Sequence, residues 1–119
     1  MIKKKVFSYN DGVCEIYREK DSLLSTDFNI KRNARTLNDY NFVVESFYGV
    51  VTIREEDYNF AESMGKKITL KIRTPFILQI DSSYKIMIDS YMYDIIKVDA
   101  DKRNKELYFY LEGGRKIEK

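Results

Sequence analysis

From Tyr84 to Gly113 the chain alternates apolar and polar residues in three runs separated by polar breaks. In the last run Leu107, Phe109 and Leu111 alternate with Glu106, Tyr108, Tyr110 and Glu112. In the first, Tyr84, Ile86 and Ile88 alternate with Lys85, Met87 and Asp89. A period of two marks a strand with one buried face. The middle run, Met92 to Val98, is apolar on both faces, which predicts a central strand or one covered on both sides. The short break at Asp89-Ser90-Tyr91 predicts a hairpin. The polar stretch 99–105, DADKRNK, predicts an exposed turn.

The same reading extends upstream. Asn10-Asp11-Gly12 is a turn signal before a strand over 13–19, in which Cys14 and Ile16 share a face. Residues 41–53, NFVVESFYGVVTI, form a β-rich run, and Gly49 predicts a bulge or bend dividing it. A short helix follows over 54–64. Thr52 and Glu55 have capping-box spacing, and Glu55, Glu56 and Asp57 suit the positive end of the helix dipole. Gly65 is placed to cap its C-terminus. Ile53, Phe60, Ala61 and Met64 make the apolar stripe that packs on the sheet. In 67–74, KITLKIRT, Ile68, Leu70 and Ile72 are expected inward and Lys67, Thr69, Lys71 and Arg73 outward. That basic outward row predicts a protected edge strand ended by Pro75. Residues 20–40 break the pattern as a long polar loop carrying Lys31, Arg32 and Arg35, and loops of that length tend to be functional. The tail, residues 114–119, is charged and expected to be mobile, as is the basic start around Lys3 to Lys5. The fold class expected is all-β: one small antiparallel barrel-like domain over residues 1–119, with one short helix and a long loop.

Composition narrows the function. Of 119 residues, 44% are hydrophobic and 34% charged, which suits a folded domain rather than a disordered chain. A net charge of +2 does not demand a nucleic-acid partner. No apolar run approaches the ~20 residues that span a bilayer, and the N-terminus lacks the apolar core of a secretory signal. Cys14 is the only cysteine, which fits folding in a reducing cytosol and leaves it to act as a small buried hydrophobe. The chain has no histidine, so the usual neutral-pH base and the commonest metal ligand are missing. The expectation is a non-enzymatic protein with no catalytic residues, metal or cofactor. The triplet Glu55-Glu56-Asp57 is no metal site on this reading, since adjacent helix residues point apart.

These features, in their order along the chain, resemble the phage head–tail joining proteins (head closure or head completion proteins), the type found in phages and prophages of Gram-positive hosts. The match is carried by Asp11-Gly12, the Thr26-Asp27-Phe28 to Lys31-Arg32-Asn33 segment ahead of Thr36-Leu37, and Phe47-Tyr48. It continues through Arg54-Glu55, Phe60-Ala61-Glu62, Gly65, the Ile68 to Thr74 strand, Met92-Tyr93-Asp94-Ile95-Ile96 and Leu107 to Gly113. It covers about residues 11–115, and Ser90 departs from it where the family pattern has glycine in the turn.

The resemblance implies a virion protein of the head–tail connector. It would form a homo-oligomeric ring in the virion, twelve-fold by portal symmetry, below the portal and adaptor, and is compatible with a monomer in solution that assembles only on the connector. The ring closes the DNA channel after packaging and gives the tail its docking surface, with packaged DNA nearby and read without sequence specificity. On that basis the 20–40 loop is the candidate gate, with Lys31, Arg32 and Arg35 near DNA phosphates. Lys67, Lys71, Arg73, Tyr108 and Tyr110 are the candidate subunit interface. Two other readings compete. One is a tail completion or terminator protein. The other is an OB-like module for single-stranded nucleic acid, since aromatic residues flanked by Lys and Arg suit such a surface.

Overall fold

The structure is a computed structural model and describes residues 9–20, 37–77 and 79–117. In chain order these form β1 (Gly12–Glu19), a 3-10 turn (Leu37–Asp39), β2 (Tyr40–Val50), α1 (Glu55–Ser63), β3 (Ile68–Pro75), β4 (Lys85–Ile88), β5 (Tyr91–Asp101) and β6 (Glu106–Lys116). The strands pair antiparallel throughout and close on themselves in the order β1-β2-β3-β6-β5-β4, with β4 returning to β1. The expected all-β, barrel-like class with one short helix is what the chain adopts.

Period-two alternation builds the interior. Cys14 and Ile16 from β1, Ile72 from β3, Ile86 and Ile88 from β4, Ile95 from β5 and Leu107, Phe109 and Leu111 from β6 converge in one buried cluster. Burying side chains of this size contributes roughly 1.5–3 kcal/mol each. Burial pushes the Cys14 thiol up to about 12, so it stays protonated at neutral pH and serves as core packing. The apolar-on-both-faces reading of β5 is met: Ile95 faces the interior cluster while Ile96 packs with Ala61, Ile68 and Tyr110 beneath α1.

Several expectations are corrected by the sheet itself. Gly49 does not divide β2. The ladder irregularity lies at Val43, opposite the Ile16–Tyr17 step, and Gly49 is where β2 leaves β1 and pairs with β3. β3 is not an edge, because β2 and β6 flank it. A register shift between Ile68 and Leu70 turns Ile68 out of the interior and under α1. The helix is capped by Asp57, whose Oδ2 accepts the Arg54 amide at 2.9 Å, rather than by Thr52 and Glu55. Met64 lies off the packed stripe and is exposed. The tail is also different: β6 runs through Gly113-Gly114 to Lys116, and Ile117 is buried beside Tyr17, Tyr40, Met87 and Met92. The Ile117 amide donates to the Ser90 carbonyl at 2.8 Å.

The β4–β5 hairpin tests the backbone directly. Ile88 pairs with Tyr91, so Asp89 and Ser90 form a two-residue turn, with φ of 52° and 71°. A two-residue turn with both φ positive matches the right-handed strand twist and favours glycine at its second position. Ser90→Gly removes a left-handed strain of roughly 1–2 kcal/mol, partly offset by glycine's added freedom in the unfolded chain. The expected outcome is a gain of about 0.5–1 kcal/mol, seen as a thermal midpoint raised by a few degrees.

Candidate functional site

The five residues expected to form a subunit interface do not share one exposed patch. Lys67 is exposed and Arg73 half-buried, while Lys71 is 3% and Tyr110 6% exposed. Tyr108 is half-buried. Parity along β3 does send Lys71 to the outside of the sheet. There, however, α1 lies over it, so outward is not the same as solvated.

What the structure assembles instead is a buried ion pair. Asp57 sits in the first turn of α1 and Lys71 in the middle of β3, and Lys71 Nζ donates to Asp57 Oδ2 at 2.8 Å. Both side chains are almost wholly removed from water, at 4% and 6% exposure. Burial by itself would push the Asp57 carboxyl up. The hydrogen bonds from Lys71 and from the Arg54 amide outweigh it and hold the group below the ordinary carboxylate range. Aromatic rings enclose the cation. Lys71 Nζ lies 4.8 Å from the Tyr110 ring centroid, and Lys97 Nζ lies 4.6 Å from the same ring and 4.3 Å from Phe60. Tyr110 donates to Asp99 Oδ2 at 3.0 Å, and burial followed by that carboxylate raises its phenol well above the usual value. Tyr108 donates to Glu106, which is itself 1% exposed and also accepts from Tyr9 at 2.5 Å.

Beside this pair an open, polar depression of about 500 Å³ is lined by Thr52, Arg54, Lys71, Asp99, Asp101 and Tyr108 among others. Its charged groups already have partners: Arg54 pairs with Glu56, Lys71 with Asp57 and Asp99 with Lys97, while Asp101 accepts from Asn104. The arrangement suits holding α1 against β3 and β6 better than proton transfer. Asp57 was legible in part. It falls on the 53, 57, 60, 61 stripe of α1, and a carboxylate on an apolar helical stripe signals a buried cation across from it. Lys31, Arg32 and Arg35 lie outside the described residues.

The surface does carry apolar groups elsewhere. On the outer side of the β1–β2 pair, Val13 faces Phe47 and both are exposed, with Phe47 at 64%, while Phe42 is exposed beside the buried Tyr17. Among the described residues no helix is long and apolar enough to cross a membrane. No protein-family model matches the chain, and no curated protein matches it.

Proposed function

We propose that the chain is a non-enzymatic structural protein of the phage neck. It acts as one member of a homo-oligomeric ring below the portal and adaptor, where the ring closes the DNA channel after packaging and receives the tail. The observation that supports this best is the closed antiparallel sheet with a single short helix between its second and third strands, which is the fold the resemblance implies. A rigid ring component needs a scaffold that does not open, and a sheet whose strands close on themselves provides one. The row Lys67, Lys71 and Arg73 lends the OB-like alternative little, because Lys71 is buried and Arg73 half-buried.

The experiment is inactivation of the gene in the phage that carries it, with particles imaged by electron microscopy. Full-length heads that carry a portal but have lost DNA and tails are expected. Intact tailed particles, or normal heads beside free tails of uncontrolled length, would overturn the reading, the second outcome pointing to a tail terminator. Deleting residues 26–36 while keeping the barrel should reproduce the DNA loss if the 20–40 connection is the gate, and should leave the protein in the particle.

A further inference from the structure

Two separate surfaces of this chain complement each other. The first is the outer face of β1 and β2. There Glu15 stands directly opposite Glu45, between the Val13–Phe47 pair and the Tyr17–Phe42 pair. Like charges facing each other across two strands are destabilising. Glu15 accepts a hydrogen bond from Tyr17 at 2.7 Å, and neither carboxylate makes a salt bridge among the described residues. Among those residues the face therefore shows an exposed phenylalanine beside an acidic pair.

The second surface is the tip of the β5–β6 hairpin and the groove next to it. Lys102, Arg103 and Lys105 are all exposed at the tip. The Phe76 amide donates to the Lys105 carbonyl at 2.9 Å and so ties the β3–β4 connection to that tip. β4 pairs with β5 only as far as Asp94, so beyond it this connection runs beside the free side of β5. Between them lies an open groove of about 380 Å³, lined by Phe76, Ile77, Ile80, Val98, Ala100 and Leu107 among others. Its lining mixes these apolar side chains with Gln79, Asp81, Ser82 and Lys97, it has room for an aromatic ring, and Lys105 at the basic tip adjoins it at Phe76.

In the closed strand order β1-β2-β3-β6-β5-β4, the β5–β6 hairpin lies across from the β1–β2 pair, and the groove opens on the β4 side of β5, so the two surfaces do not overlap. A two-fold contact uses the same patch on both subunits, whereas two different patches join copies head to tail and generate rings or filaments. We infer that the occupant of the β1–β2 face is a second copy of this chain. Phe47 of one copy seats in the Phe76–Ile80–Val98 groove of the next, and Glu15 and Glu45 meet Lys102, Arg103 and Lys105. This deepens the neck reading by supplying the ring's contact surfaces, and it moves them away from the Lys71–Tyr110 region.

The test is sedimentation of the purified full chain from micromolar to near-millimolar concentration. Association growing past a dimer is expected, weakened at least about tenfold by Phe47→Ser, about 1.4 kcal/mol per contact. It should also weaken in about 1 M salt, where the screening length is about 3 Å. E15K/E45K and K102E/R103E should each be monomeric, and their equimolar mixture should recover the wild-type size, because every contact between unlike copies again joins opposite charges. E45K alone keeps an opposite-charge cross-strand pair within the chain and gives a well-folded check of the first variant. A wild type monomeric throughout, a species that stops at two copies, or a mixture that stays monomeric would each overturn the proposal. Neck localisation is read from particle images. Association in solution without neck density would sink the function and leave these surfaces standing, and the reverse result would do the opposite.

Discussion

Asp57→Ala is expected to cost about 3–5 kcal/mol of folding stability, among the largest effects of any single substitution in this chain. The reason is less the loss of an attraction than what remains. Lys71 lies beneath α1, almost wholly removed from water, with its ammonium 2.8 Å from the missing carboxylate and the Tyr110 ring beside it. A buried charge without its partner carries its full desolvation cost. Asp57 also accepts the Arg54 amide, so the same change uncaps the helix, for about 1 kcal/mol more. The double variant D57A/K71M separates these contributions. Methionine fills the lysine's volume without charge, and a buried ion pair replaced by apolar groups is often neutral. The double variant should therefore be more stable than D57A and fall short of wild type by little more than the cap. Urea titrations of the four proteins measure it. If D57A alone lies within about 1 kcal/mol of wild type, Lys71 finds water or another acceptor, and the pair does not fasten α1 to the barrel.

The same pair sets an acid limit. The folded Asp57 carboxyl is held below its ordinary value of 3.8, so its stabilisation is complete above that value and is lost as pH falls through the folded one. A pH series of unfolding midpoints should show wild type losing stability on that limb, while D57A/K71M lacks this component. The opposite order would mean that desolvation outweighs the two hydrogen bonds.

The strands, the helix and the inward rows of β4 and β6 were legible because each is a local pattern, and the closed sheet satisfies those patterns together. The errors share a cause. Parity says which side of a strand a residue occupies, not what covers that side, so Lys71 and Tyr110 read as solvated when α1 lies over them. Register shifts escape parity too, which is why Ile68 changed sides and why the irregularity opposite Ile16–Tyr17 lies at Val43 rather than at Gly49. The exposed Phe47 was invisible for the converse reason. Its position in a β-rich run is what a core residue would have, and only the closed strand order shows that it faces out. A charged C-terminal sequence likewise hid Ile117, whose burial depends on a hydrogen bond to the turn at Ser90 rather than on its neighbours in sequence.

That C-terminal passage carries the second large effect. Met92 pairs with Arg115 and Tyr93 with Gly113, which leaves Gly114 as the extra residue of a bulge in β6. Both glycines have left-handed backbone, with φ of 82° at Gly113 and 111° at Gly114. Their surroundings differ. A Cβ on Gly113 meets nothing within 4 Å, whereas one on Gly114 comes to 2.8 Å from Cε2 and 3.1 Å from Cζ of Tyr93. Gly113→Ala should therefore show the backbone strain alone, about 1–2 kcal/mol. Gly114→Ala should add the overpacking against the Tyr93 ring, which packs on the core cluster, about 1–3 kcal/mol more. The difference between the two alanines isolates the contact, and a Tyr93→Leu background should shrink it. The consequence also reaches further along the chain, since Arg115, which donates to the Tyr40 hydroxyl at 2.7 Å, and Ile117 are positioned only if β6 continues through this bulge. Hydrogen exchange at the Ile117 amide should accelerate in Gly114→Ala well beyond its change in Gly113→Ala. Equal costs for the two would mean that Tyr93 has room to move and that the glycine at 114 serves the backbone alone.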